Sequence, residues 1–192
     1  MKKIILASLL LALNFACSDD KGTSGKVLPL NNQKQQISYL MGADNAGQLL
    51  QDPNFAKYDK EQILKGFEEG LNNEKSFDEV CQQTIQSLLG PTQQEFNEQY
   101  AKDASLCIGK FIGGMFKTSW VQAKSFDEFD KEYLIYGFDL GLKKQDTLIK
   151  KEVKETMLKD FMAKVNSRIM AEVTKKETAF FSDVKQMAAI KE

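Results

Sequence analysis

The sequence predicts an all-α protein: two tandem helical repeats ending in a long helix. Three observations carry that expectation. The segment YDKEQILKGFEEGL, 58–71, returns as FDKEYLIYGFDLGL, 129–142, with seven of fourteen positions identical. Only three prolines interrupt 192 residues, and Gln, Lys, Glu and Leu abound, as in strongly helical chains. After each repeated Asp, apolar residues fall three and four apart, the period of one helix face.

The repeated unit begins further upstream. ISYLMGADNAGQLL, 37–50, aligns with ASLCIGKFIGGMFK, 104–117, at an offset of 67 instead of 71, so the second copy carries four extra residues in its connection. Ser38 pairs with Ser105, Gly42 with Gly109 and Gly47 with Gly114. Each unit thus reads as a glycine-bearing helix, a loop and an Asp-capped helix. Asp59 can accept from the open N–H groups that follow it, with Gln62 completing a capping box. Ile63, Leu64, Phe67 and Leu71 share one face. Asp130 caps likewise, ahead of Leu134, Phe138 and Leu142. Gly66 and Gly70 sit four apart, as do Gly137 and Gly141. Because an interior glycine costs about 1 kcal/mol against alanine, the eight glycines Gly42, Gly47, Gly66, Gly70, Gly109, Gly114, Gly137 and Gly141 are expected where helices approach closely.

Between the units, LLGPTQQEF marks a boundary: Gly90 can end a helix, Pro91 sits near the next start, and Thr92 with Glu95 forms a capping box. The tract KSFDE occurs at 75 and at 124, on opposite sides of the second helix, and reads as coincidental capping chemistry. Ile149, Val153, Met157, Phe161, Val165, Ile169 and Val173 mark a closing helix from about Thr147 to Thr174, roughly 40 Å long, with a looser helical tail over 180–192.

The N-terminus reads as a targeting segment. Lys2 and Lys3 precede an apolar run, 4–13, that is too short to span a bilayer. In NFACSDD, Ala16 stands directly before Cys17. This resembles a bacterial lipoprotein signal, although Asn14 occupies the place where that pattern usually has Leu. The resemblance implies lipid attachment at Cys17 and residence in the bacterial cell envelope, in the periplasm or at the outer membrane. Asp19 and Asp20 offer a sorting signal, with the membrane face left open. The organisation expected is a signal peptide over 1–16, a polar tether over 17–34, repeat 1 over 35–90, and repeat 2 with the long helix over 91–192.

Without residues 1–16 the chain has 24 basic against 27 acidic residues, a net charge of −3, which does not suggest a nucleic-acid partner. Residues 44–103 carry net −7 and residues 143–176 net +5. Two solvated faces account for this; the alternative is that the long helix docks on the acidic unit or on an acidic partner. A disulfide is open to Cys81 and Cys107 in an oxidising compartment. Cys107 nevertheless aligns with Leu40, an apolar helical position, which favours buried free thiols that act as small hydrophobes.

Candidate chemistry is sparse. The chain has no histidine, which removes Ser-His and Cys-His nucleophilic catalysis and most zinc sites. GTSGK, 22–26, lacks the first glycine and the Ser/Thr of a phosphate loop. GKFIGG, 109–114, repeats a helical segment and follows no strand. Glu68 and Glu69 fit a solvated helix face. No catalytic residue, metal site or cofactor is expected.

The repeat itself carries a second resemblance. SYLMGADNAGQLL followed by YDKEQILKGFEEGLNN resembles the N-terminal domain of FKBP-type peptidyl-prolyl isomerases, such as the macrophage infectivity potentiator group. The pattern falls on Ser38, Tyr39, Gly42, Gly47, Asp59, Gly66, Phe67 and Leu71. The second copy keeps all but the tyrosine, which is Leu106. The resemblance implies a helical dimerisation domain whose long third helix carries a β-rich isomerase domain. Only some eighteen residues follow Thr174, so no isomerase activity is expected. It also implies that the two units pair with each other as an intramolecular pseudo-dimer, monomeric in solution. Two functions follow: non-catalytic folding assistance for unfolded or envelope proteins, or a lipid-anchored adaptor for one envelope partner. Met115, Phe116, Trp120, Met157, Phe161, Met162 and Met170 are the candidates for an adaptable apolar surface.

Overall fold

The computed structural model describes residues 27–73, 77–89 and 98–189, with side chains through 181. Among the described residues are α1 (Gln33–Leu49), α2 (Lys60–Asn72), α3 (Glu79–Leu89), α4 (Glu98–Gln122), α5 (Lys131–Leu142) and α6 (Lys151–Ala189), and no strand. A turn of 3-10 helix precedes α2 at Phe55–Lys57, and another precedes α5 at Phe126–Glu128.

The helix starts follow capping chemistry. Asn32 accepts from the Gln35 N–H at 3.0 Å, and Asp59 accepts from Glu61 and Gln62 at 2.9 and 3.1 Å. Asp130 accepts from Glu132, and Asp78 of the first KSFDE tract accepts from the Cys81 N–H. Each of these bonds satisfies one of the donors a helix leaves open at its start. In a capping box the N-cap residue's own N–H would go to the side chain three residues on. Here the Asp59 N–H goes instead to Ser105 Oγ at 2.9 Å, and the Asp130 N–H goes to Ser38 Oγ at 2.8 Å. The repeated serines therefore fasten the second helix of one repeat to the first helix of the other.

That exchange governs the whole fold. α1 packs along α5, and α4 packs along α2, so the close helix pairs form across the repeats. The third helices follow the same rule, α3 lying on α4 and α6 on α1. Interchanging the repeats maps each contact onto another, which is an approximate two-fold relation within one chain. Phe67 and its counterpart Phe138 meet at the centre, their rings stacked 3.8 Å apart and 7° from parallel, both fully buried. Smaller features repeat as well: Lys60 lies over Phe55 at 5.6 Å, and Lys131 over Phe126 at 5.8 Å.

α6 begins four residues later than the periodicity indicates and runs fifteen further, beyond Thr174 to Ala189. The delay comes from the turn after α5, where Lys144 takes a left-handed conformation (φ 58°) and the Gln145 N–H bonds to Leu140 O. The first half of α6 docks through buried Phe161 and Val165. Phe161 joins an aromatic cluster with Trp120 and Phe129 at 5.7 and 5.5 Å. Ion pairs flank it: Arg168 and Lys164 reach Glu128 at 2.5 and 3.3 Å, and Lys124 reaches Glu172 at 2.8 Å. Arg168 also donates to the buried Ser125 Oγ. From Val173 to Phe181 every side chain of α6 is exposed.

The cysteines correct the expectation of free thiols. Cys81 and Cys107 form a disulfide, their Cα atoms 4.9 Å apart and 26 residues apart in sequence. Position 107 is buried like its counterpart Leu40, but α3 covers it and brings Cys81 into reach. Cys17, the tether up to residue 26 and the 90–97 boundary lie outside the described residues.

Candidate functional site

Helix contact without side chains explains most of the glycines. A Cβ on Gly66 would stand 2.1 Å from Leu106 O, and one on Gly109 would stand 2.1 Å from Ile63 O. The counterparts behave alike: Gly137 faces Tyr39 O at 2.0 Å and Gly42 faces Leu134 O at 2.0 Å. Gly70 and Gly141 sit one turn on, against Lys110 O and the Ala46 side chain. Gly47 and Gly114 are the correction, because a Cβ on either would meet nothing within 4 Å. Gly113 takes the packing role instead, 2.3 Å from Phe67 O. A contact repeating every four residues after Gly109 selects 113, the residue equivalent to Ala46.

These close pairs leave the two first helices to frame a cleft of about 600 Å³, with α3 at one side. Its walls are the same stretch of helix in two versions. The α1 wall, with the turn that follows the helix, supplies Met41, Asp44, Asn45, Gln48, Leu49 and Asp52; from α4 come Ile108, Phe111, Ile112, Met115, Phe116 and Ser119. Each residue of the first series is the counterpart, at the offset of 67, of the α4 residue in the same place of the second. Trp120 extends the α4 wall, and Ile85 and Leu88 of α3 add to the apolar side. Position is conserved between the walls while chemistry is not. Asp44 answers Phe111, Asn45 answers Ile112, and Gln48 answers Met115.

The cleft's polar groups have defined surroundings. Asp44 lies 3.8 Å from Lys154 Nζ of α6, the described ion pair that joins the basic long helix to the acidic first repeat. Asp52 accepts the Asn54 N–H at 2.7 Å. The Tyr58 hydroxyl, also in the lining, is pushed up to about 12 by burial and by the neighbouring Asp52 carboxylate, so it stays protonated. Among the described residues, the cleft lining contains two carboxylates and neither lysine nor arginine. Among the described residues, no group of three or more Cys, Asp or Glu is placed to hold a metal.

The seven residues proposed for an adaptable surface divide. Met115, Phe116 and Trp120 line the cleft, with Met115 52 % exposed. Phe161 is buried and Met157 partly buried against the core. Met162 and Met170 are exposed on α6. The polar wall went unseen in the sequence, although reading the residue pairs at the offset of 67 would have displayed it.

Residues 34–107 match the family described as the domain amino terminal to FKBP-type peptidyl-prolyl isomerase. No curated protein and no solved structure matches the chain. The matched stretch is about two fifths of the chain, and it includes Ser38, Asp59, the paired glycines of α1 and α2, and both disulfide cysteines. Over this stretch, from α1 through α3 and into α4, the chain is similar to the domain that precedes FKBP-type peptidyl-prolyl isomerases.

Proposed function

We propose that this protein is a cell-envelope lipoprotein, anchored through Cys17, that assists protein folding as a non-catalytic, chaperone-like relative of FKBP-type isomerases. The observation that supports the reading is the cleft between α1 and α4. Its apolar wall offers methionine and aromatic side chains at an open surface, with Met115 half exposed. Methionine adapts to guests of varied shape, and promiscuous binders use such surfaces. Each helix that frames the cleft is held by a backbone-close crossing with a helix of the other repeat. Both halves of the pseudo-dimer come from one chain, and the proposal includes a monomer in solution. Sedimentation at the mass of one chain at low micromolar concentration is expected, and twice that mass would count against it.

The test is suppression of aggregation. The chain from residue 17, with Cys17→Ser, is added at equal molarity to two unrelated, thermally unfolding clients. Reduced light scattering for both supports general folding assistance, and Met115→Glu should weaken the effect. No reduction for either refutes that reading in favour of an adaptor with one defined envelope partner.

A further inference from the structure

Two copies of one helix face each other across the cleft, and they have different chemistry. We infer that the cleft takes a polypeptide segment of mixed character, with bulky apolar side chains against the α4 wall and lysine or arginine toward the α1 wall. The inference rests on the folding-assistance reading and names the class of guest.

Three features of the site support this assignment. The volume, about 600 Å³, lies within the range of roughly 300–1,000 Å³ that holds ligands of drug size, so a few side chains of a segment enter and a folded domain does not. The α4 wall, with Phe111, Ile112, Met115 and Trp120, gains most from apolar guests. The α1 wall opposes any guest that is apolar throughout. Such a guest would strip water from the carboxylate oxygens that Lys154 and the Asn54 N–H leave open on Asp44 and Asp52, and burying partly compensated charge without a new partner is costly. An acidic guest fares worse, because the described lining residues include no lysine or arginine to receive it. A basic side chain resolves the conflict. Asp44 remains half exposed beside Lys154, at a separation of 3.8 Å, which leaves it able to take a second cation. Asn45 and Gln48 supply neutral polar groups between the two carboxylates. The orientation of the guest is thereby set: apolar edge to α4, basic edge to α1.

The test uses the full chain carried in phosphatidylcholine nanodiscs and labelled twelve-residue peptides read by fluorescence anisotropy. The peptides share one apolar pattern and carry Lys, Gln or Glu at the remaining positions. The Lys peptide should bind about tenfold more tightly than the Glu peptide, as expected for two partly exposed ion pairs, and added salt should shrink the gap. Asp44→Asn with Asp52→Asn should remove most of the preference and leave apolar binding in place. Equal binding of the Lys and Glu peptides overturns the inference. So does a preference that survives the double substitution, which would trace it to the net negative charge of the chain. Aggregation suppression with no charge preference would sink this inference and spare folding assistance. Failure of every peptide to bind, together with no suppression, would sink both.

Discussion

Replacing Gly66 by alanine tests how closely α2 and α4 must approach. The substitution improves helix propensity by about 1 kcal/mol, so local preference alone predicts a more stable protein. Packing predicts the opposite. The new Cβ would lie 2.1 Å from Leu106 O, 2.9 Å from Lys110 N and 3.0 Å from Gly109 Cα. All three are backbone atoms of α4, and none can rotate away. Carbon and oxygen rarely approach within about 3.3 Å, so α2 must retreat from α4 by about 1 Å. A retreat of that size forfeits about a quarter to a half of the dispersion energy of each contact in the seam. Overpacking a rigid site costs about 1–3 kcal/mol, occasionally more, and backbone on both sides places this site at the upper end. The net expectation is a loss of about 2 kcal/mol. At a urea dependence of about 2 kcal/mol per molar, the midpoint should fall by about 1 M when followed by circular dichroism. Gly47→Ala and Gly114→Ala are the matched controls. They meet open space and should each raise stability by up to about 1 kcal/mol. If Gly66→Ala shifts the midpoint upward as they do, the argument for close approach fails.

Three further outcomes are expected. Reducing the Cys81–Cys107 disulfide, which closes a 26-residue separation, should cost about 3.5 kcal/mol in the chain-entropy account; an unchanged urea midpoint in a phosphine reductant would refute its structural role. Ser38→Ala and Ser105→Ala should each cost about 1–3 kcal/mol by stranding the N–H of Asp130 or Asp59, and an effect at only one of the two would break the proposed equivalence. Burial raises the Glu128 pKa, but hydrogen bonds and charge from Arg168 and Lys164 outweigh it and hold the group below its ordinary value. A carboxyl depressed in the folded state stabilises above its unfolded pKa and loses that contribution as pH falls through the folded one. Docking of α6 should therefore weaken below the ordinary glutamate range, seen in the fluorescence of Trp120, the single tryptophan, against Phe161, and Glu128→Gln should flatten that part of the profile.

What the sequence disclosed and what it hid divide along a physical line. Caps and periodicity are local, so Asp59, Asp130 and the apolar faces of α2 and α5 were legible from neighbouring residues. What lies opposite a face is not local. Ser38 and Ser105 stood out as repeated, yet their bonds to Asp130 and Asp59 span 92 and 46 residues. The same distance hid the disulfide, because the apolar character of position 107 is satisfied by leucine or by half a cystine. Alignment favoured Gly114 over Gly113, since only the former has a glycine counterpart, whereas packing depends on which residue faces the neighbouring backbone. The apolar wall of the cleft was half visible in Met115, Phe116 and Trp120. Its polar wall was hidden because Asp44 and Gln48 look like ordinary solvated residues until the second copy stands across from them.

The exchange of partners between repeats has a consequence for the order in which the chain becomes native. α1 leaves the ribosome early, but its long-term neighbour α5 follows only after some ninety further residues, the spacing of the Ser38–Asp130 bond. At about 5–20 residues per second of synthesis, the first helix waits several seconds without a native neighbour. The contacts it then makes have long loops to close, unusual in a helical protein and slow to form. Repeat 1 cannot serve as a finished nucleus for repeat 2, since neither keeps its own helices together. The native contacts of either half therefore begin only once both repeats are present in the same compartment.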